Sequence, residues 1–567
     1  NLIPFSLVDR VEVATDAGSS VYGADAVAGT VNIILRNDFE GLELTGSTKR
    51  TEAGAGNQYQ VGLLAGAQGE RARITFAAEY YDRGRVLIGD RDYSSPSTRF
   101  IRVTESGDIV DPFGIGGLPT GASDNFGFAI DQPPGPGAPL IAGLFRYTEG
   151  TSDIGIPNFS EFLTASNPTP SILSNSAYND SDERRRADLV GELERLSLVT
   201  NGEVDLNIFG HDTKFYFEGM YLNRQTTAIQ ASPNIFFPQI MPTIPLINAD
   251  DGTPVISGGE PVYVDNPYNP FPSSIYEPIL TLEDLQQRFD VELQQVRMVT
   301  GFTGDIGGGW FGERNWTYDA YFSYDRGTGF AAEPTLFEPH YILSIRGVAQ
   351  TTDGDIVCGV PGFDQVPGQQ FDGSLSPSTC VPFDLSDPAV YSGGQYGEGT
   401  FPSEALRNYL MAQRTNRTVI EQYVANGFIQ GDLFNIPGGD TVKIGVGYEF
   451  RRDIIDSQAD VTGVQGAGAF ANIEGLTKGS RDFNEIFGEV NIPLIVGKPG
   501  IELLNIDGAL RFTDETNFGS DLTYRARVQY KPVDWFSLAG GYGTSFRAPN
   551  LRESFLNDQG GGIGGAI

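Results

Sequence analysis

No stretch of the 567-residue chain approaches the roughly eighteen consecutive apolar residues that a membrane-crossing helix needs. That excludes a transmembrane helix but not a membrane, because barrel strands alternate and never give a strong hydropathy signal. Basic residues are scarce, with 38 Lys and Arg against 73 Asp and Glu and a formal net charge of -35. That balance argues strongly against a nucleic-acid partner, since phosphates reward clustered Lys and Arg. Only two histidines (His211, His340) and two cysteines (Cys358, Cys380) are present. They form no metal-ligand cluster, and no P-loop, G-x-S-x-G or H-E-x-x-H motif occurs. The expectation is therefore no catalytic site, no metal, no cofactor and no enzyme. What is abundant is glycine, 72 residues, with aromatics at 11%. Gly and aromatic enrichment with few Lys fits a β-rich wall with irregular loops.

After Gly41 one unit repeats: about ten alternating residues, a connection, and about ten more. Leu522, Tyr524, Ala526, Val528 and Tyr530 share one face, opposed by Thr523, Arg525, Arg527 and Gln529. Leu504, Ile506, Leu510 and Phe512 likewise oppose Asn505, Asp507 and Arg511, and Val442, Ile444, Val446, Tyr448 and Phe450 oppose Lys443, Glu449 and Arg451. A soluble sandwich also alternates, so the connections must discriminate. The short ones lie near 67–71, 207–213, 306–314, 432–440, 494–502 and 531–533. The long ones run roughly over 82–190, 225–293, 326–417 and 454–483, with shorter members at 49–57 and 514–519. Short turns on one side and long loops on the other are the pattern of an outer-membrane barrel, here with about thirteen strands. One helix is expected in a loop, over 403–412 with Ser403 as N-cap. Cys358 and Cys380 lie within one polar loop. A bridge is expected there, contributing about 3 kcal/mol in the chain-entropy model; two free thiols are the alternative.

The first forty residues contain IPFSLVDRVEV, a Gly/Ala/Ser-rich stretch, and then TVNIILR. Ile3, Pro4, Asp9, Arg10, Val11, Glu12, Val13, Ser19, Tyr22, Gly23, Ala26, Gly29, Val31, Asn32, Ile33 and Ile34 fall at fixed spacings. This run resembles the end of the plug domain of TonB-dependent outer-membrane receptors. The resemblance continues in NPYNPF (266–271), the Cys358–Cys380 segment, GYEFRRD (447–453), NEIFGEVNIPL (484–494) and the F-R-A-P element Phe546, Arg547, Ala548, Pro549.

The resemblance implies an all-β fold: a transmembrane antiparallel barrel of the plugged class with roughly 22 strands, of which this chain holds about thirteen. Residues 1–40 are then the end of the plug and 41–567 the N-terminal part of the barrel. The expectation is a fragment, without its export signal, most of its plug and the remaining barrel, so that the sheet stays open and ends near Phe546 in a loose Gly-rich tail. The plug-motif residues are Asp9, Arg10, Glu12, Tyr22, Gly23, Gly29 and Asn32. Glu485, Glu489, Arg525 and Arg527 are candidates to line the lumen. The two glutamates share one strand face, as a glycosidase pair might in principle, but are read as lumen acids available to plug arginines such as Arg10. The implied activity is uptake of a scarce nutrient (a siderophore, cobalamin, an oligosaccharide or similar) in the outer membrane of a Gram-negative bacterium. The implied partners are TonB, reached through a box outside this chain, the membrane lipid and a small-molecule or oligosaccharide ligand. Haem is disfavoured, because axial ligation calls for histidines that this chain mostly lacks. A passive porin-like or autotransporter barrel and a secreted β-rich binding or adhesion protein remain the alternatives. The second of these must cover its outward aromatic rows.

Overall fold

The structure is a computed structural model. It describes residues 3–14, 30–52, 54–91, 186–208, 211–230, 235–269, 274–276, 279–280, 282–306, 315–359, 379–392, 399–468 and 473–560, with the backbone of short strands within 102–163. Residues 15–29, and with them Tyr22, Gly23 and Gly29, lie outside the described residues, as does 132–140.

The chain opens with a hairpin-like pair, β1 (Val8–Ala14) and β2 (Thr30–Leu35), antiparallel with Val13 opposite Val31. The wall follows with β3 (Gly41–Lys49), β4 (Gln58–Gln68), β5 (Ala72–Arg83), β6 (Glu192–Ile208) and β7 (His211–Ile229). Next come β8 (Arg288–Asp305), β9 (Thr317–Leu336), β10 (Met411–Asn435) and β11 (Thr441–Ala459). It ends with β12 (Leu476–Lys498), β13 (Ile501–Glu515), β14 (Gly519–Val533) and β15 (Phe536–Gly543). Each strand pairs antiparallel with the next, so sequence order is spatial order across all thirteen. Among the described residues no ladder joins β3 to β15; the sheet is open.

Period-two alternation sets the two faces. On β14 Leu522, Tyr524, Ala526 and Val528 are exposed on the outer face, and Thr523 is buried on the inner one. Tyr530, at the foot of the same row, donates its hydroxyl to the Gly500 carbonyl at 2.9 Å. Leu42, Val61, Ile74, Met298, Phe322, Tyr448, Ile486, Leu510 and Leu538 continue the outer row along the sheet, all exposed. An apolar band of that extent, uncovered by protein, is what lipid contact requires.

The strands run longer than the expected ten or so residues. β10 has 25 and β12 has 23, and at about 3.4 Å per residue β10 extends roughly 80 Å. Crossing the membrane takes only about 9–11 residues, so the wall projects well beyond it at the long-loop end. Among the described residues the short connections fall at 69–71, 436–440, 499–500 and 534–535, near the expected places, and the long connections are 84–191, 230–287, 337–410 and 460–475.

Two expectations about loops and tail change. The predicted helix is present as α2 (Glu404–Leu410), with Ser403 Oγ accepting from Leu406 N at 3.1 Å. The same loop holds a further helix, α1 (Glu338–Arg346), that the sequence reading missed. The segment after β15 is not a loose tail through its described part. It forms α3 (Leu551–Phe555), and Leu556–Asn557 pairs with Leu476 and Thr477 of β12. The reason is a capping box, in which Asn550 and Glu553 each satisfy the other's backbone N–H, followed by edge pairing.

Candidate functional site

Residues 3–8 and 35–39 lie on the inner face of β4, β5 and β6. Leu7 is fully buried against Leu64, Ala77 and Val199, with Leu35, Phe39 and Met220 around them. All three wall residues point inward by parity, opposite to exposed Val61, Ile74 and Leu196. Gly66 is required here, because a Cβ at this position would collide with the Phe39 carbonyl. Polar groups complete the seat. Buried Glu79 accepts from Phe5 N at 3.3 Å, from Gln60 Nε2 at 2.8 Å and from Arg195 Nη2 at 2.5 Å. Asn201 Nδ2 donates to the Arg36 carbonyl at 3.2 Å, and Arg36 N donates to the Leu7 carbonyl at 2.8 Å. Beside the seat, Asn32, Arg73, Glu203, Tyr216 and Arg297 line a cavity of about 590 Å³.

Of the two arginines expected near an inward wall carboxylate, Arg10 and Arg36, the second is the one that reaches it. Arg10 contacts Asp9 and Glu12 on its own strand, both at 2.8 Å and all exposed. Arg36 instead approaches an inward wall carboxylate, Glu43, at 3.8 Å. Asn32 sits opposite Glu12 in the β1–β2 ladder.

Glu485 is buried completely on the inner face of β12, but its partner is a wall residue. Arg511 Nη1 lies 2.8 Å away and Thr513 Oγ1 donates at 2.7 Å, both from β13. The Arg511 guanidinium lies 4.3 Å over the Phe487 ring. Buried charges are satisfied by the nearest strand rather than kept for a distant one, since an unpaired buried carboxylate costs several kcal/mol. Glu489, four residues along, is exposed to the interior. With Asp432, Lys443, Asp507 and Arg525 it lines a second inner-face cavity of about 450 Å³. Arg527 shares the inner parity of Arg525.

The F-R-A-P element folds back onto the inner face of β12. Ala548 is buried against Phe483, with Phe546 alongside. Arg481, paired with Asp453 at 3.1 Å, donates to the Pro549 carbonyl. Arg451 and Arg481 both stack on the Phe483 ring, at 4.1 and 4.8 Å. Arg547 reaches Glu553 at 3.0 Å.

Above the wall, Cys358 and Cys380 are bonded, with Cα atoms 5.6 Å apart. His340, on α1, stacks on Tyr409 at 4.1 Å, and its Nδ1 is 2.6 Å from the Tyr409 carbonyl. Burial lowers its pKa, with that hydrogen bond opposing, and burial pushes the Tyr409 hydroxyl up to about 12. The ring of this half-buried histidine is taken up by the Tyr409 and Phe337 contacts. His211 is the first residue of β7. The NPYN segment organises its own loop: Asn266 and Asn269 donate to the Met241 and Ile240 carbonyls at 2.9 and 3.2 Å. Neither role was legible beforehand, because the accepting carbonyls lie about thirty residues away.

The family comparison agrees with this architecture. A profile of the "TonB dependent receptor-like, beta-barrel" family matches residues 282–566. The ferric enterobactin receptor PfeA of Pseudomonas aeruginosa, solved as a mutant with enterobactin, is 14% identical with a TM-score of 0.41, over 97% of this chain and 51% of that one. The siderophore receptor PiuA of Acinetobacter baumannii is 11% identical with a TM-score of 0.40, over 97% and 56%. The chain spans about half the length of these solved receptors. With the profile covering half of the sequence, the chain belongs to the TonB-dependent receptor β-barrel family.

Proposed function

We propose that this chain is the plug end and N-terminal barrel part of an outer-membrane receptor that binds a scarce nutrient outside and imports it with energy coupled through TonB. Residues 1–40 act as the last part of the plug and 41–567 as wall and extracellular loops. The observation that carries this reading is the seat of Leu7 in the pocket of Leu64, Ala77 and Val199, locked by Glu79 and Asn201. A segment fixed to the inner face blocks a passive pore and favours a gated one. The ligand classes that fit this reading are ferric siderophores, cobalamin and oligosaccharides. No covalent chemistry is assigned to the chain.

Uptake of radio-iron-labelled ferric siderophores by cells carrying the intact receptor tests the reading. Uptake should disappear on deletion of TonB or on collapse of the proton gradient. Uptake that persists unchanged under both conditions would identify a passive pore.

A further inference from the structure

The loops 230–287 and 337–410 leave adjacent places on the rim, because β7–β8 and β9–β10 bracket the neighbouring strands β8 and β9. They are not two separate loops. A four-stranded sheet takes two strands from each: Tyr263–Asp265 and Thr243–Ile247 from the first, Ala349–Thr351 and Ile356–Val357 from the second. Its central pair is parallel, Leu246 opposite Gln350 and Ile247 opposite Thr351. A hairpin cannot make a parallel pair, so this ladder joins segments distant in sequence.

The two loops also share an apolar core. Phe237, Ile275 and Leu282 of the first loop pack with Tyr341, Phe383 and Leu406 of the second. The Phe237 ring meets Tyr341 and Phe383 edge-on at 5.7 and 5.6 Å. Asp284 of the first loop accepts three bonds from the second, from Thr400 Oγ1 at 2.7 Å, Phe401 N at 2.9 Å and Arg407 Nε at 2.8 Å. Glu283 N donates to the Gly399 carbonyl at 2.8 Å, and Gly399 must be glycine, since a Cβ would strike Val390. The Cys358–Cys380 bond belongs to the second loop, yet it packs with Ile244, Val264 and Tyr268 of the first.

From this interleaving we infer that the described parts of loops 230–287 and 337–410 form a single cooperative cap, which folds and opens as one body, distinct in stability from the wall. Each loop supplies half of a sheet and half of a core that neither can complete alone. A ligand therefore meets one jointed lid rather than two independently moving loops. The inference does not depend on which ligand is carried or on whether transport is energised.

Hydrogen exchange on the intact receptor without ligand tests it from both sides. Phe237→Ala perturbs the first loop and is read in the second, at 341–351 and 399–410. Cys380→Ser perturbs the second and is read in the first, at 243–247 and 263–265. Each should raise exchange in the opposite loop by roughly tenfold or more, with β11 unchanged. Phe237→Leu should give the same pattern on a smaller scale, should the alanine variant fail to fold. A rise confined to the perturbed loop would overturn the proposal. So would a rise that spreads equally into β11, because the cap would then be part of the wall's own unit.

Discussion

Arg511→Met should be among the most damaging single changes in the wall. Glu485 is 0% exposed and Arg511 3%, and the guanidinium lies 2.8 Å from the carboxylate. Removing it leaves a buried carboxylate held by the Thr513 hydroxyl. Breaking one side of such a pair costs about 3–5 kcal/mol. Loss of the guanidinium from the Phe487 face, at a desolvated site, adds about 2 kcal/mol. The expected loss is thus about 5–7 kcal/mol in sum. Replacing both members by methionine removes the stranded charge, so Glu485→Met with Arg511→Met should recover at least about half of it. Urea unfolding of the receptor in lipid vesicles reads both midpoints, at constant slope. A single-variant loss below about 1 kcal/mol, or a double variant as weak as the sum of two singles, would refute the reasoning.

Other consequences are equally direct. Val528→Arg on the outer face should cost about 2–4 kcal/mol near the bilayer midplane, whereas Gln529→Arg on the inner face should cost far less; the same urea titration compares them. Leu7→Ala should weaken docking of the plug end by about 2–5 kcal/mol, seen as faster hydrogen exchange in β1 with β11 unaffected. His340 titrates below its ordinary value because it is buried, so protonation favours the unfolded cap. The cap's full stability is therefore present above about pH 6.5 and is lost as pH falls through the folded value. Exchange in α1, compared at about pH 7.5 and about pH 5, should show this, and His340→Phe should flatten it.

The wall was legible because lipid outside and a polar interior write period two into the sequence, as in Leu522 to Tyr530. Its length was not legible, because beyond the membrane neither face meets lipid. The stretch Met411 to Thr418, with Gln413, Arg414, Asn416 and Arg417, carries no apolar stripe yet continues β10. Helix α1 escaped for the opposite reason. Tyr341, Ile342, Leu343, Ser344 and Ile345 are all buried, so no polar face marks the turn, and Phe337 offers no side-chain cap. The partner of Glu485 was not legible, since the diagonal contact to Arg511 depends on the register between β12 and β13. The cap was invisible, because its parallel pair and core join residues about a hundred positions apart.

The claim that the wall's even-numbered row on β14 faces lipid while its odd-numbered row faces the interior has one direct test. Single cysteines are placed in turn at positions 522 to 530 of the intact receptor in outer membranes. Each is labelled with a lipid-dissolved and with a water-soluble thiol reagent. The account predicts strict alternation: lipid labelling at 522, 524, 526 and 528, and aqueous labelling at 523, 525, 527 and 529. The reverse alternation, or uniform aqueous labelling at all positions, would contradict it.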